Sequence, residues 1–212
     1  LLAIASLAGV ERSYGFLKWG TALAAFIGAL LTTLLVYSLS RVQGKTVVVN
    51  LILVGVAINA MAGGFVTLFS FIGGTMAQSQ VVFWQLGSLA GAGWSSAVIT
   101  LIITVIGIVI ACLCAPKMDL LALGENQARH LGVNVERFRL CVIILVAALV
   151  GVGVAFAGVI AFVGLIVPHA IRLIIGPQHK WLLPTSAFGG AFVLLVADTC
   201  ARTIISTAEL PI

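Results

Sequence analysis

The chain has 212 residues, of which 62% are hydrophobic and 8% charged, and its formal net charge is +5. Soluble domains contain roughly 45–50% apolar and 25% charged residues, so this composition excludes a soluble globular protein and indicates an integral membrane protein. The small positive excess is better explained by lysine and arginine sorted to one side of a bilayer than by nucleic-acid binding, and no nucleic-acid partner is expected.

Long charge-free stretches divide the chain into candidate spans, since a membrane-crossing helix needs about 20 apolar residues. One uncharged stretch is too glycine-rich and polar to face lipid, and we interpret it as containing a short surface helix. The predicted elements, in chain order, are the end of a span in residues 1–10, spans at Leu17–Leu39 and Val47–Ile72, a surface helix around Ser79–Leu89, and spans at Ala97–Ala115, Leu140–Ala157, Val159–Ile175 and Trp181–Ile205. The predicted fold is an all-α, polytopic transmembrane bundle.

Small and polar residues recur along one face of the second full span. Gly55, Asn59, Gly63 and Thr67 are spaced by four residues and therefore share one side of a helix. Two interpretations remain open. The face either packs tightly against another helix, or it forms the wall of a translocation path, because polar groups in a membrane must meet protein or water.

Residues 116–139, named here the charged segment, hold seven of the chain's 11 basic and 6 acidic residues and must lie in water. We expect Asp119 to cap the N-terminus of a first short helix that Gly124 ends. A second short helix follows and ends at Gly132.

The second short helix carries an acid four residues before a base, Glu125 and Arg129, which is the favourable order for a helical pair. The two helices together are expected to present apolar side chains to a partner protein. These side chains are Leu120, Leu121, Ala128 and Leu131.

Lysine and arginine are distributed unevenly between alternate connections. The loops at 40–46, 116–139 and 172–181 hold eight of them, and the connections on the other side hold three. Because cytoplasmic loops carry the excess of basic residues, the charged segment is predicted to be cytosolic and Arg202 to face outward.

Signatures of enzymes and metal sites are missing from the sequence. It has no HExxH motif and no GxSxG motif, and its four cysteines lack metal-ligand spacing. QGKT at residues 43–46 ends like a phosphate-binding loop, but Leu39 stands where that loop needs its first glycine. We therefore expect a chain that is not an enzyme and that binds no metal or cofactor.

Two ionisable residues at membrane depth keep a different function open. Pro168 breaks a predicted span, and His169 beside it either hydrogen-bonds the freed backbone or serves as a ligand or proton relay. Asp198 and Arg202 are four residues apart and can pair. A proton-coupled secondary transporter would use Asp198 with His169 as a relay, whereas a haem-bearing electron carrier would want paired histidines at depth.

Four sequence blocks carry a resemblance to a known family. LALGENQARHLGV at 121–133 and AGVIAFVGLIVPHAIRLIIGPQHKWLLP at 157–184 are followed by ADTCAR at 197–202 and AELPI at 208–212. In this order and spacing they resemble the FecCD/BtuC-type permeases of bacterial ABC importers for iron chelates, haem and cobalamin. The resemblance extends from the span at Leu17 to the end of the sequence.

This resemblance implies a subunit of ten transmembrane helices in the bacterial plasma (inner) membrane. It implies a homodimer that binds two cytosolic ATPase subunits, which hold ATP and magnesium, and an extracytoplasmic substrate-binding protein. Residues 1–212 would form a single, incomplete permease domain, from the end of the third helix through the ninth. The implied function is import of an iron chelate, either a ferric siderophore or haem, and the residues do not separate these from cobalamin.

The resemblance also implies roles for individual residues. Arg202 and Glu209 match the outer rim on which the binding protein docks, and the face formed by Gly55, Asn59, Gly63 and Thr67 falls on the helix that lines the path. Val48 and Val49 depart from the small hydroxyl residues that relatives can carry at the cytoplasmic mouth, so an apolar mouth is expected here. Residues 119–132 match the coupling helices that insert into the ATPase, with these residues in contact: Leu120, Leu121, Gly124, Glu125, Ala128, Arg129, Leu131 and Gly132.

Overall fold

The computed structural model describes residues 14–42, 45–87, 93–160 and 162–204. Helices dominate these residues, and the only strands described in them are two short ones that form a hairpin. The elements are α1 (Tyr14–Leu39), β1 (Arg41–Val42), β2 (Lys45–Thr46), α2 (Val48–Ile72), α3 (Gly74–Leu86), α4 (Trp94–Ala122), α5 (Glu125–His130), α6 (Val135–Ala157), α7 (Val163–Ile175) and α8 (His179–Ile204). The predicted all-α class is confirmed.

Five of the described helices, α1, α2, α4, α6 and α8, are long and apolar enough to cross a membrane. Each corresponds to a predicted span. The prediction was wrong for Val159–Ile175, because α7 begins only at Val163 and has 13 residues. At 1.5 Å per residue it reaches about 20 Å, short of a hydrocarbon core of about 30 Å. The helix cannot begin earlier because Gly158 and Phe162 both have positive φ angles, of 73° and 66°.

Two other predicted boundaries also differ. The surface helix around Ser79–Leu89 is α3, which begins five residues earlier, at Gly74, and ends at Leu86. The connection at residues 40–46 is an antiparallel hairpin in which Arg41 pairs with Thr46. The Val47 amide donates to the Ser40 carbonyl at 3.4 Å, which closes this hairpin against the end of α1.

The chain divides into two compact units, whose described residues lie within 14–104 and 133–160, and within 105–132 and 162–204. In the first unit α1 packs along α6. A Cβ atom placed on Gly151 would lie 3.1 Å from the Phe26 ring, so the ring occupies the space that a side chain would need. Ala147, Val152 and Ala155 on α6 and Ala22 on α1 are buried. Small residues therefore set the close approach of these two helices.

The other end of α6 meets the end of α3 through backbone groups. The Val159 amide donates to the Trp84 carbonyl at 3.1 Å. A Cβ atom on Gly158 would lie 2.7 Å from the same carbonyl oxygen, and one on Gly87 would lie 2.7 Å from the Val159 oxygen. Glycine is required at both positions because no side chain fits between these two chain segments.

In the second unit α7 packs on α8. Val167 and Leu182 are buried there, and a Cβ atom on Gly189 would lie 2.7 Å from Ile171 Cδ1. Ala115 and Ala128, which belong to the same unit, are fully buried. This core rests on alanine, valine and glycine, which allows its segments to approach closely.

Candidate functional site

The charged segment opens as a continuation of the membrane helix. α4 runs without interruption through Pro116 to Ala122, so the prediction that Asp119 caps a separate short helix was wrong. A proline removes one backbone donor and is tolerated where the remaining bonds of the helix hold its register. Leu120 and Leu121 thus lie in the last turns of α4 and are half-buried.

Gly124 separates α4 from α5, as predicted. Its φ of 119° and ψ of 146° lie in a region that only glycine adopts readily. The amide of Gly124 donates to the Leu121 carbonyl at 3.0 Å, and its own carbonyl accepts from the Ala128 amide at 3.0 Å. The bend is therefore held by hydrogen bonds on both sides and forms a defined corner.

The second short helix, α5, ends at His130, and Gly132 follows with a φ of 83°. The expectation that Ala128 is presented to a partner was wrong, because this residue is 0% exposed and anchors α5 from inside. Leu131 is 63% exposed, and Leu123, which belongs to the predicted apolar run at residues 120–123, is 64% exposed. The apolar surface of the corner is thus formed by leucines on both sides of Gly124.

Asp119 binds the first residue of α8. The backbone amide of His179 donates to Asp119 Oδ1 at 3.0 Å, and His179 Nδ1 lies 2.6 Å from the same oxygen. Because a carboxylate only accepts hydrogen bonds, Nδ1 carries the hydrogen in this pair. Asp119 therefore caps the N-terminus of α8, where a negative charge is favourable, rather than the helix expected from the sequence.

A second polar anchor joins the hairpin to the start of α6. Thr46 donates to Glu136 through its hydroxyl at 2.7 Å and through its amide at 3.2 Å. Arg139 Nη1 donates to the Thr46 carbonyl at 2.8 Å and lies 3.5 Å from Glu136 Oε1. We name these three residues the Thr46 clamp.

The two polar anchors agree with the orientation derived from charge. Each joins two connections that the lysine and arginine count puts on the cytosolic side: 116–139 with 172–181 at Asp119, and 40–46 with 116–139 at Thr46. The Val159 to Trp84 bond joins two connections on the opposite side. Within each unit, the contacts therefore join connections that the charge count puts on the same side.

The polar face of α2 is not covered by its own chain. No described residue of α2 is buried, and Asn59, Gly63 and Thr67 are exposed. A Cβ atom on Gly55 or Gly63 would meet nothing within 4 Å. Tight packing against another described helix of this chain therefore does not explain the face, and its role in a path stays a prediction.

The residues predicted to lie on the outer side are described in part. Arg202 Nε donates to Asp198 Oδ2 at 2.8 Å, so the predicted pair is confirmed. His169, which was predicted to lie at membrane depth, is exposed on α7. Glu209 lies outside the described residues, and docking of a binding protein at Arg202 stays a prediction.

The family assignment follows from comparison with known proteins. A family model described as the FecCD transport family matches residues 1–212. The chain belongs to the FecCD transport family. Within this family, the chain is 42% identical over 188 residues to the hemin transport system permease protein HmuU of Yersinia pestis, covering 89% of the chain and 56% of the relative.

Two further matches support the family and the fold. This FecCD chain is 40% identical over 190 residues to the vitamin B12 import system permease protein BtuC of Vibrio vulnificus, covering 90% of the chain and 57% of the relative. A solved structure assigned as a metal-chelate type ABC transporter in an inward-facing conformation matches with a TM-score of 0.78 and 31% identity, covering 92% of the chain and 66% of that structure.

The FecCD chain thus spans a little over half the length of the first two curated relatives. It is a multi-pass protein of the bacterial plasma membrane. Sequence reasoning had counted Glu136 and Arg139 only as charges of the segment and had not singled out Thr46. A usable signal was the position of Glu136 beside apolar Val135, since a carboxylate at a membrane boundary needs a partner.

Proposed function

We propose that this chain is the membrane-spanning permease subunit of an ATP-driven, binding-protein-dependent importer. The observation that carries the proposal is the corner at Gly124, a short exposed helix between two membrane-length helices with leucines on both sides. Such a rigid apolar projection on the cytosolic side fits insertion into a partner protein. The proposed assembly contains two permease subunits, two ATPase subunits and an external binding protein.

The corner supports a mechanism of alternating access. ATP closes the two ATPase subunits and displaces the coupling helices at residues 119–132, and the attached helices open one mouth of the path while they close the other. ATP can drive this change only because the ATPase binds it with different affinities in the two states. The permease itself performs no chemistry in this proposal.

The proposed cargo is a large metal chelate. The named relatives are a hemin permease and a vitamin B12 permease, and the matched structure is assigned to a metal-chelate type transporter. Haem is the first candidate, because it is an iron chelate and the relative with the higher sequence identity is a hemin permease. A path lined by Gly55, Asn59, Gly63 and Thr67 offers little steric hindrance to a cargo of this size.

A proton-coupled transporter is the competing function, and the geometry favours it less. Its relay would require Asp198 to exchange protons with His169, but Asp198 is engaged by Arg202 at 2.8 Å. A relay also gives no role to the exposed leucines at the corner, Leu123 and Leu131.

Uptake into proteoliposomes separates the two functions. The complete complex, with its ATPase and binding protein, is assayed with hemin and with vitamin B12 as alternative probes. We expect uptake of one probe to require ATP on the cytosolic side and to persist when a protonophore collapses the proton gradient. Uptake that continues without ATP and stops with the protonophore would refute the proposal.

A further inference from the structure

The Thr46 clamp is a polar contact with little access to water. Thr46 is 5% exposed, and the side chains of Arg139 and Glu136 are 13% and 23% exposed. Glu136 uses both carboxylate oxygens on one residue, since Oε2 accepts from the Thr46 hydroxyl and Oε1 from its amide. Hydrogen bonds to a charged group are the strong ones, and two from the same residue also fix its orientation.

The clamp also binds the backbone carbonyl of Thr46. Arg139 donates to the Thr46 carbonyl, so the amide, hydroxyl and carbonyl of Thr46 are all bound by the first turns of α6. Ser40, at the same open end of the hairpin as Thr46, is fully buried, and its carbonyl accepts from the Val47 amide. A displacement of α6 at this level therefore carries the hairpin with it unless these bonds break.

The hairpin determines where α2 begins. Thr46 precedes the first residue of α2, Val48, by two positions. None of the described residues of α2 is buried, and the residues at its start are at most half-buried, so side-chain packing alone holds this end of the helix weakly. The clamp is the most buried polar contact at this end of α2, so it has a large share in setting the position of the helix start.

In the sequence, the clamp residues Glu136 and Arg139 come shortly after the coupling helices. Asn134 lies two positions after Gly132. Its side chain caps α6 by accepting from the Arg137 amide at 3.2 Å. Glu136 lies in the first turn of that capped helix. Three residues thus separate the end of the coupling helices at Gly132 from Glu136, whose carboxylate holds Thr46.

We propose that Glu136 is a positioning residue that makes the start of α2 follow the start of α6 when the coupling helices move. The inference rests on the proposed function, in which α2 lines the path and the ATPase displaces residues 119–132. Glu136 touches neither cargo nor nucleotide. It acts through its hydrogen bonds to Thr46. Arg139 contacts both Thr46 and Glu136 and so fixes their relative position.

The test compares two substitutions of Thr46, each of which changes one group of the threonine side chain. Thr46→Val keeps the shape and removes the hydroxyl donor, whereas Thr46→Ser keeps the hydroxyl and serves as the matched control. Glu136→Gln, which keeps the shape of the side chain and removes its charge, examines the other partner. Each variant is prepared in the complete complex, and its insertion and melting temperature are compared with those of the wild type.

The first readout reports whether the hairpin is held and needs no transport. Ser40→Cys is introduced after the four native cysteines are replaced, and the rate of reaction with a water-soluble maleimide is measured. The buried thiol is expected to react about tenfold faster with Thr46→Val, since loss of a hydrogen bond to a charged group shifts the opening equilibrium by about that factor. Thr46→Ser is expected to react at the wild-type rate.

The second readout is the amount of hemin or vitamin B12 imported per ATP hydrolysed. We expect Thr46→Val and Glu136→Gln to lower this ratio severalfold at an unchanged melting temperature, and Thr46→Ser to keep it. An unchanged labelling rate with Thr46→Val would overturn the inference. Faster labelling with an unchanged transport ratio would also overturn it, because the clamp would then be structural only.

Failure of the proposed function gives a different pattern. A wild-type complex that imports neither probe with ATP would remove the transport role, while the Ser40→Cys labelling rates would still establish whether Glu136 holds the hairpin. ATP-driven import by the wild type together with equal ratios in all variants would leave the proposed function standing and refute the role of Glu136.

Discussion

Asp119 is the residue through which the charged segment holds the start of α8. Its carboxylate accepts both the backbone amide and Nδ1 of His179, and its side chain is 40% exposed. We expect Asp119→Asn to destabilise the protein by about 1 kcal/mol, since a capping bond remains possible but the charge at the helix N-terminus is lost, and solvent screens part of that charge. This corresponds to a fall of about 2–4 °C in the melting temperature.

The Asp198–Arg202 pair supplies a matched control for the substitution of Asp119. It is an i,i+4 pair on one helix, and the Arg202 side chain is more exposed than that of His179. Exposed pairs of this kind contribute about 0.3–0.5 kcal/mol to stability. Asp198→Asn should therefore lower the melting temperature by less than Asp119→Asn, measured by thermal unfolding in the same detergent. An equal or larger effect of Asp198→Asn would contradict the capping role of Asp119.

At the scale of elements, the contact between α3 and α6 depends on a glycine. Gly158→Ala would require an alanine at a φ of 73° and would place its Cβ 2.7 Å from the Trp84 carbonyl oxygen. Backbone strain alone costs about 1–3 kcal/mol, and the clash adds to it. Gly153→Ala on the same helix meets nothing within 4 Å and should be neutral or stabilising. Thermal unfolding of both variants tests this, and similar melting temperatures would refute it.

Elements were predictable where a hydrophobic run has charged or glycine-rich ends. α1, α2 and α8 begin and end close to the predicted residues for this reason. α7 was predicted too long because the apolar sequence continues through Gly158 and Phe162, and hydropathy does not register a positive φ. α4 was predicted too short because the charged residues at its end indicated a separate short helix. The helix in fact continues past Pro116 to Ala122.

At the scale of the whole molecule, the family and the corner at Gly124 could be predicted, but the long-range contacts of the charged segment could not. Gly124 is a local signal, since glycine between two short helical patterns marks a break. The partners of Asp119 and Glu136 lie 60 and 90 residues away in the sequence. No periodicity within a helix specifies such a pairing, because it depends on which loops meet on one side of the bundle.

The corner at Gly124 also gives the prediction that concerns the whole complex. Gly124→Val places a β-branched residue at a φ of 119°, where a new Cβ meets nothing within 4 Å, so the penalty is backbone strain alone, about 1–3 kcal/mol. The strain is relieved if α5 reorients relative to α4, which in the proposed complex would displace Leu123 and Leu131 from the ATPase subunit. We expect the variant to insert normally and to lose about tenfold in ATP-driven uptake while ATP hydrolysis continues. Gly28→Val, at a helical glycine with equally open space, should keep wild-type uptake. Wild-type uptake by Gly124→Val would show that the corner does not transmit force from the ATPase.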